Sequence, residues 1–216
     1  MLFRQLPAAL LFTASALTAT AQTPSAQDLA HKVDAHYNHL RSLETRYTER
    51  YRGLGLDRTE TGTLLLRKPG RMRWSYDSPR GKVFVLDGKF AVSWTPGDSQ
   101  ADRIPVKKLD DLHSPLRFLL GHTELSKELD HLTLTPVSAG HFTLSGTPKG
   151  MANRLRSIAL TVDANGTILA MRMEETDGAS TDFTFANMRE NVPTKDADFS
   201  FTPPAGVTIV DGASPI

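Results

Sequence analysis

The side chains able to do chemistry are few in kind and poorly assembled. Seven histidines are scattered over 216 residues, and cysteine is absent. That removes thiolate metal sites, cysteine nucleophiles and any disulfide framework. His36 and His39 stand at i, i+3 with no second pair nearby, so they read as a solvated helix face and not as a metal site. Asp163-Ala164-Asn165-Gly166 begins like a calcium loop but lacks the later acidic ligand and falls between two strand patterns. A tight turn accounts for it, and for the glycosylation-like Asn165-Gly166-Thr167 as well. Glu174 and Glu175 are neighbours, and on a strand neighbours point to opposite faces, which suits a solvated edge better than acid–base catalysis. A nucleophile elbow, a phosphate-binding glycine loop and an H-E-x-x-H helix are all missing. The expectation is a protein that is not an enzyme and uses no metal or cofactor.

What remains is apolar and basic. Gly62 to Pro79 reads GTLLLRKPGRMRWSYDSP. Pro69-Gly70 marks a turn and Met72-Arg73-Trp74-Ser75-Tyr76 alternates strictly, so the stretch predicts a β-hairpin. Met72, Trp74 and Tyr76 share one face, with Arg71, Arg73 and Ser75 on the other. Phe90, Val92 and Trp94 form a second bulky set on alternate positions. Periodicity alone leaves two meanings open for these faces, a packed core or a ligand cavity. Arg67, Lys68, Arg71 and Arg73 are the densest basic cluster. They read either as a solvated hairpin end or as a source of one cation that reaches carbonyls at a helix C-terminus.

Around these residues the pattern is mostly strand. A helix is expected from Gln27, with Leu29, Val33, Tyr37 and Leu40 on one side, and a strand takes over at Leu43. Asp87-Gly88, Asn165-Gly166 and Asp177-Gly178 are hairpin turns. Asp98 to Asp111 reads as loop or edge strand. Ser114-Pro115 opens a short helix bearing Leu116, Leu119 and Leu120 and closed by Gly121, and a second short helix is expected over Thr123 to Leu129. Five strand patterns follow, then Phe199-Ser200-Phe201-Thr202, a Pro203-Pro204 break and a last strand at Val207 to Val210. The sum is a mainly antiparallel β protein, one large curved sheet or open barrel, with short helices packed across its concave face.

Met1 to Arg4, the apolar run Leu6 to Leu17 and Ala19-Thr20-Ala21 predict a secretory signal peptide over 1–21, leaving one domain over 22–216. No cysteine stands at the cleavage point to carry a lipid, so the exported chain is expected to be soluble. Basic and acidic residues number 25 and 24, and removing Arg4 makes the balance neutral. Such a chain has no bulk electrostatic attraction to nucleic acid or an anionic membrane.

Four segments, in this order behind the leader, carry a resemblance: LLLRKPGRMRWSYDSP (64–79), the Asp87-Gly88-Lys89 turn with its aromatic strand, SPLRFLLG (114–121) and FSFTPPAGVTIVDG (199–212). Together they resemble the periplasmic outer-membrane lipoprotein carrier protein family, LolA. The resemblance implies an unclosed antiparallel β-barrel whose short helices form a lid over an apolar cavity. It implies a monomeric, non-enzymatic periplasmic carrier that takes acylated lipoproteins from an inner-membrane ATP-driven (ABC) release complex to an outer-membrane receptor. On that reading Leu64, Leu66, Met72, Trp74, Tyr76, Phe90, Val92 and Trp94 line the cavity, and Leu116, Leu119 and Leu120 sit on the lid. The family usually has Lys-Arg-Pro where this chain has Arg67-Lys68-Pro69, its arginine bonding to lid carbonyls. Lys68 falls on that position without the planar fork of arginine, and Arg67 competes for the latch. The alternative is a periplasmic lipid- or lipoprotein-sensing regulator, or a general lipid carrier, of the same fold. A hydrolase lacks a nucleophile constellation.

Overall fold

The computed structural model describes residues 24–109 and 124–212. The expected leader and the expected helix with Leu116, Leu119 and Leu120 lie outside the described residues. Alternating apolar residues and tight turns give six consecutive antiparallel strands, β1 (Ser42–Gly53), β2 (Leu56–Arg67), β3 (Arg71–Ser78), β4 (Val83–Leu86), β5 (Phe90–Trp94) and β6 (Gln100–Pro105). A second meander follows: β7 (Leu129–Ser138), β8 (His141–Pro148), β9 (Leu155–Asp163), β10 (Ile168–Glu175) and β11 (Ser180–Glu190). Pairing of β1 with β11 joins the two meanders, and β12 (Thr208–Asp211) adds to β6 as the one parallel pair among the described residues. The result is a single unclosed, curved, 12-stranded sheet in the order β12-β6-β5-β4-β3-β2-β1-β11-β10-β9-β8-β7.

Among the described residues α-helices are few: α1 (Ala26–His39) and two four-residue turns, α2 (Val106–Leu109) and α3 (Leu125–Glu128). Ser25 caps α1 reciprocally with Asp28, whose N–H donates to Ser25 Oγ at 3.0 Å. The helix buries Leu29, Ala30, Val33 and Tyr37 against the inner face of the sheet. Its grip is on the second meander. Tyr37 Oη accepts from the Ile168 N–H at 3.0 Å, and Lys32 Nζ donates to the Ala164 carbonyl at 3.1 Å. Asp34 accepts the Leu125 N–H at 3.0 and 3.2 Å and so fixes the start of α3. Backbone meets backbone at Gly166 (φ +90°), where a Cβ would fall 2.6–2.7 Å from Lys32 and Val33 main-chain atoms.

The outer face of the first meander is covered as well. A 3-10 turn at Asp196–Phe199 and the chain after it lie across it, with Phe199 buried beneath the Arg67 guanidinium, 5.0 Å from its ring. Arg67 and Arg71 both meet Asp196, at 2.5 and 3.1 Å, and Arg73 donates to the Ser200 carbonyl at 3.0 Å. Trp94 packs on Phe201 with centroids 6.1 Å apart. Arg103 and Asp211 close the edge with two parallel hydrogen bonds, at 2.7 and 2.9 Å.

Two strands differ from the sequence reading. Gln100–Pro105, expected as loop or edge, is a full strand with a neighbour on each side, and β2 begins at Leu56, well before Gly62. The first half of β2 is polar because the start of the β1–β2 hairpin is exposed, so hydrophobic alternation could not reveal it.

Candidate functional site

The inner face of the central strands is a continuous apolar wall. Register fixes its members: Leu43, Leu66, Met72 and Leu86 lie in one cross-strand row, and Thr45, Leu64, Trp74 and Phe84 in the next. Tyr47, Gly62 and Tyr76 form the third row, continued into β11 by Phe185. Rings interlock along it. Tyr47 meets Trp74 edge-on at 4.4 Å and Tyr76 at 5.7 Å, Trp74 lies 5.7 Å from Phe183, and Phe183 stacks on Phe185. Each such pair adds about 0.5–1.5 kcal/mol beyond area burial. Trp74 Nε1 donates to the Met72 sulfur at 2.8 Å, so the indole spends its one donor inside the wall. Gly62 is required here, because a Cβ would fall 2.2 Å from the Ser75 carbonyl and 2.8 Å from Tyr47 Oη. Leu64, Leu66, Met72 and Trp74 are buried, whereas Tyr76, Phe84 and Phe185 remain part-exposed.

The two alternating aromatic sets expected to share a cavity do not. Trp74 pairs with Phe84 and Phe84 with Ser93, which puts Val92 and Trp94 on the opposite side. Phe90, Val92 and Trp94 face outward with Val83 and Val85, under the C-terminal segment and Arg103, whose guanidinium lies 4.8 Å from the Phe90 ring. Alternation tells which residues share a face within one strand and says nothing of which face it is. The unbroken Val83-Phe84-Val85-Leu86 run was the signal that both faces of this meander are covered.

The basic cluster divides by the same rule. Arg67, Arg71 and Arg73 point outward and hold the C-terminal segment. Arg67 therefore does not reach the helix, contrary to its expected competition for the latch. Lys68, the first residue past β2, turns inward and its Nζ donates to the Tyr37 carbonyl in the last turn of α1 at 2.8 Å. Burial holds this ammonium below the usual lysine range. His36 approaches Glu190 of β11 at 2.8 Å on the same helix.

The sequence reading missed one group. Glu49 and Glu60 face each other across β1 and β2 on the inner side, next to the aromatic rows. Lys82 Nζ meets both Glu60 oxygens at 2.9 Å and lies 4.4 Å from the Tyr76 ring centroid. Burial first, then the Glu60 charge, pushes the Glu49 carboxyl above its ordinary value. Their signal was in the strand alternation itself, since Glu49 follows Leu43, Thr45 and Tyr47 on the apolar side. Among the described residues, no group of three metal-ligating side chains is assembled and no helix is long and apolar enough to cross a membrane.

Residues 48–202 match the family model described as outer membrane lipoprotein carrier protein LolA. The chain is 24% identical over 202 residues to an outer-membrane lipoprotein carrier protein of Chromobacterium violaceum, covering 94% of this chain and 97% of that one. A protein of the same description from Cupriavidus necator is 26% identical over 196 residues, 88% of this chain and 90% of that one. Among solved structures, an uncharacterised conserved protein of Thermus thermophilus superposes with TM-score 0.56 at 13% identity, covering 87% of this chain and 99% of that one. A DUF1329 family protein of Desulfovibrio piger gives TM-score 0.52 at 17% identity, covering 81% and 95%. These two show a shared fold.

Proposed function

Because the chain belongs to the LolA family of outer-membrane lipoprotein carrier proteins, we propose that it is a periplasmic carrier that holds the acyl chains of lipoproteins against its inner face. The observation that carries this reading is the wall built from Leu64, Leu66, Met72, Trp74 and Tyr76, open to contact at Tyr76, Phe84 and Phe185. A buried methylene is worth about 0.8 kcal/mol, so two or three acyl chains cannot travel bare through water. A carrier must also let go. Leu116, Leu119 and Leu120 are proposed to fill the empty cavity as a lid, so that cargo displaces them and the loaded state carries that cost. Lys68, bonded to α1, is proposed as the latch of the closed form. The donor of the cargo is the inner-membrane ABC release complex and its acceptor an outer-membrane lipoprotein receptor. The protein acts as a monomer without enzymatic activity.

The test is transfer. Inner-membrane vesicles bearing labelled lipoprotein are mixed with the protein and ATP, and a soluble one-to-one complex is expected. Lipid uptake without lipoprotein release would move the function to lipid transport or sensing. Lys68→Leu is expected to keep uptake and slow onward delivery. It weakens the closed form by about 1.5 kcal/mol, the low end for a charged hydrogen bond, because the Tyr37 carbonyl keeps the Leu40 N–H at 3.2 Å.

A further inference from the structure

An apolar wall needs no carboxylates, yet two are built into its border. Glu60 is only 5% exposed and has its counter-charge in Lys82, with Arg58 3.6 Å away. Glu49, directly opposite, has neither an ion pair nor a hydrogen bond among the described residues. Beside it the Tyr47 hydroxyl, on a residue 2% exposed, makes no hydrogen bond of good geometry and has the Tyr76 side chain as a loose polar contact. The Tyr47 ring lies across Gly62, 5.7 Å from the Tyr76 ring and one same-face row from the Glu49–Glu60 pair. Buried polar atoms are nearly always well paired, and a poorly satisfied one beside an unpaired carboxylate marks a place where a ligand supplies the missing groups. What fits is a donor for Glu49 and a second polar atom for Tyr47, attached to something apolar that lies on Tyr76 and Phe185.

We propose that Glu49 and Tyr47 form a polar subsite for the head of the acylated ligand, and that it prefers a free ammonium over an amide. This rests on the carrier reading and refines it. An acylated N-terminal cysteine presents this combination: chains for the wall, ester and thioether oxygens and sulfur near them, and an amino group that is either free or acylated. A free ammonium neutralises Glu49 and restores its charged form. An amide N–H gives one weaker bond and no charge.

The probes are two dipalmitoyl-glyceryl-cysteine peptides with the same uncharged peptide, one with a free N-terminus and one N-acetylated. Binding is followed by calorimetry at pH 7, where most of the free amine is protonated. The native protein is expected to bind the free-amine probe about tenfold more tightly, the scale of one charge-assisted hydrogen bond. Glu49→Gln should bring the two within about twofold, Glu49→Asp should keep the preference, and Tyr47→Phe should weaken both probes alike. Equal affinities in the native protein, or a ratio untouched by Glu49→Gln, would overturn the subsite and leave the carrier reading standing. Failure of both probes to bind the native protein overturns the carrier reading itself, and the subsite with it.

Discussion

Single residues on this inner face are under electrostatic tension that stability measurements can read. Glu49 has its carboxyl raised above the ordinary 4.5 by burial and by Glu60, with Lys82 and Arg58 opposing. Between 4.5 and the raised value the native state holds a proton that the unfolded chain has lost, so stability falls as pH rises through that window. Glu49→Gln removes the contribution. The stability of the native protein relative to this variant, from urea unfolding between pH 4 and 8, is therefore expected to decline as pH increases and then level off. A flat difference would show that the carboxylate is solvated. Asp196 and Asp211 behave oppositely, held low by hydrogen bonds from Arg67 and Arg103, but both are exposed and cancel in the comparison.

Elements are positioned by contacts that the chain advertises unevenly. The helix at Gln27, the Pro69-Gly70 hairpin and the strands after Asp87-Gly88 and Asn165-Gly166 were legible, because period and turn chemistry are local. The placement of Phe90, Val92 and Trp94 was not, since the face a strand buries depends on partners far along the chain. Lys68 and Arg67 were separable only once the strand end was fixed. Glu49 was legible in position but not in meaning, because a carboxylate on an apolar stripe looks like an edge until its neighbours are known. The close approach of α1 to the β9–β10 turn gives a sharp test. Gly166→Ala places a methyl against the backbone of Lys32 and Val33 and also forces alanine to φ +90°. Gly97→Ala meets only the second difficulty, at φ +101° with open space around it. The Gly97 variant should cost about 1–2 kcal/mol and the Gly166 variant roughly 3–4 kcal/mol in denaturant unfolding. Equal losses would mean that α1 yields freely.

At the scale of the molecule, each meander is strapped by the terminus of the other. The N-terminal helix lies on β7–β10, and the chain after Asp196 lies on β2–β6. Phe199 is the buried plug of the second strap, so Phe199→Ala is expected to cost about 3–5 kcal/mol. Loss of the near-ultraviolet signal from Trp94 should accompany it. A loss under about 1 kcal/mol would show that the segment merely rests on the sheet. Crossed straps also dictate an order of events during synthesis. Leu29, Val33 and Tyr37 are among the first apolar residues of α1 to be made, yet the Ile168 N–H that donates to Tyr37 Oη comes 131 residues later. Until then the helix has a greasy side and nothing to put it on. The helix must therefore be shielded in the emerging chain, and its own docking waits until β10 has joined the sheet.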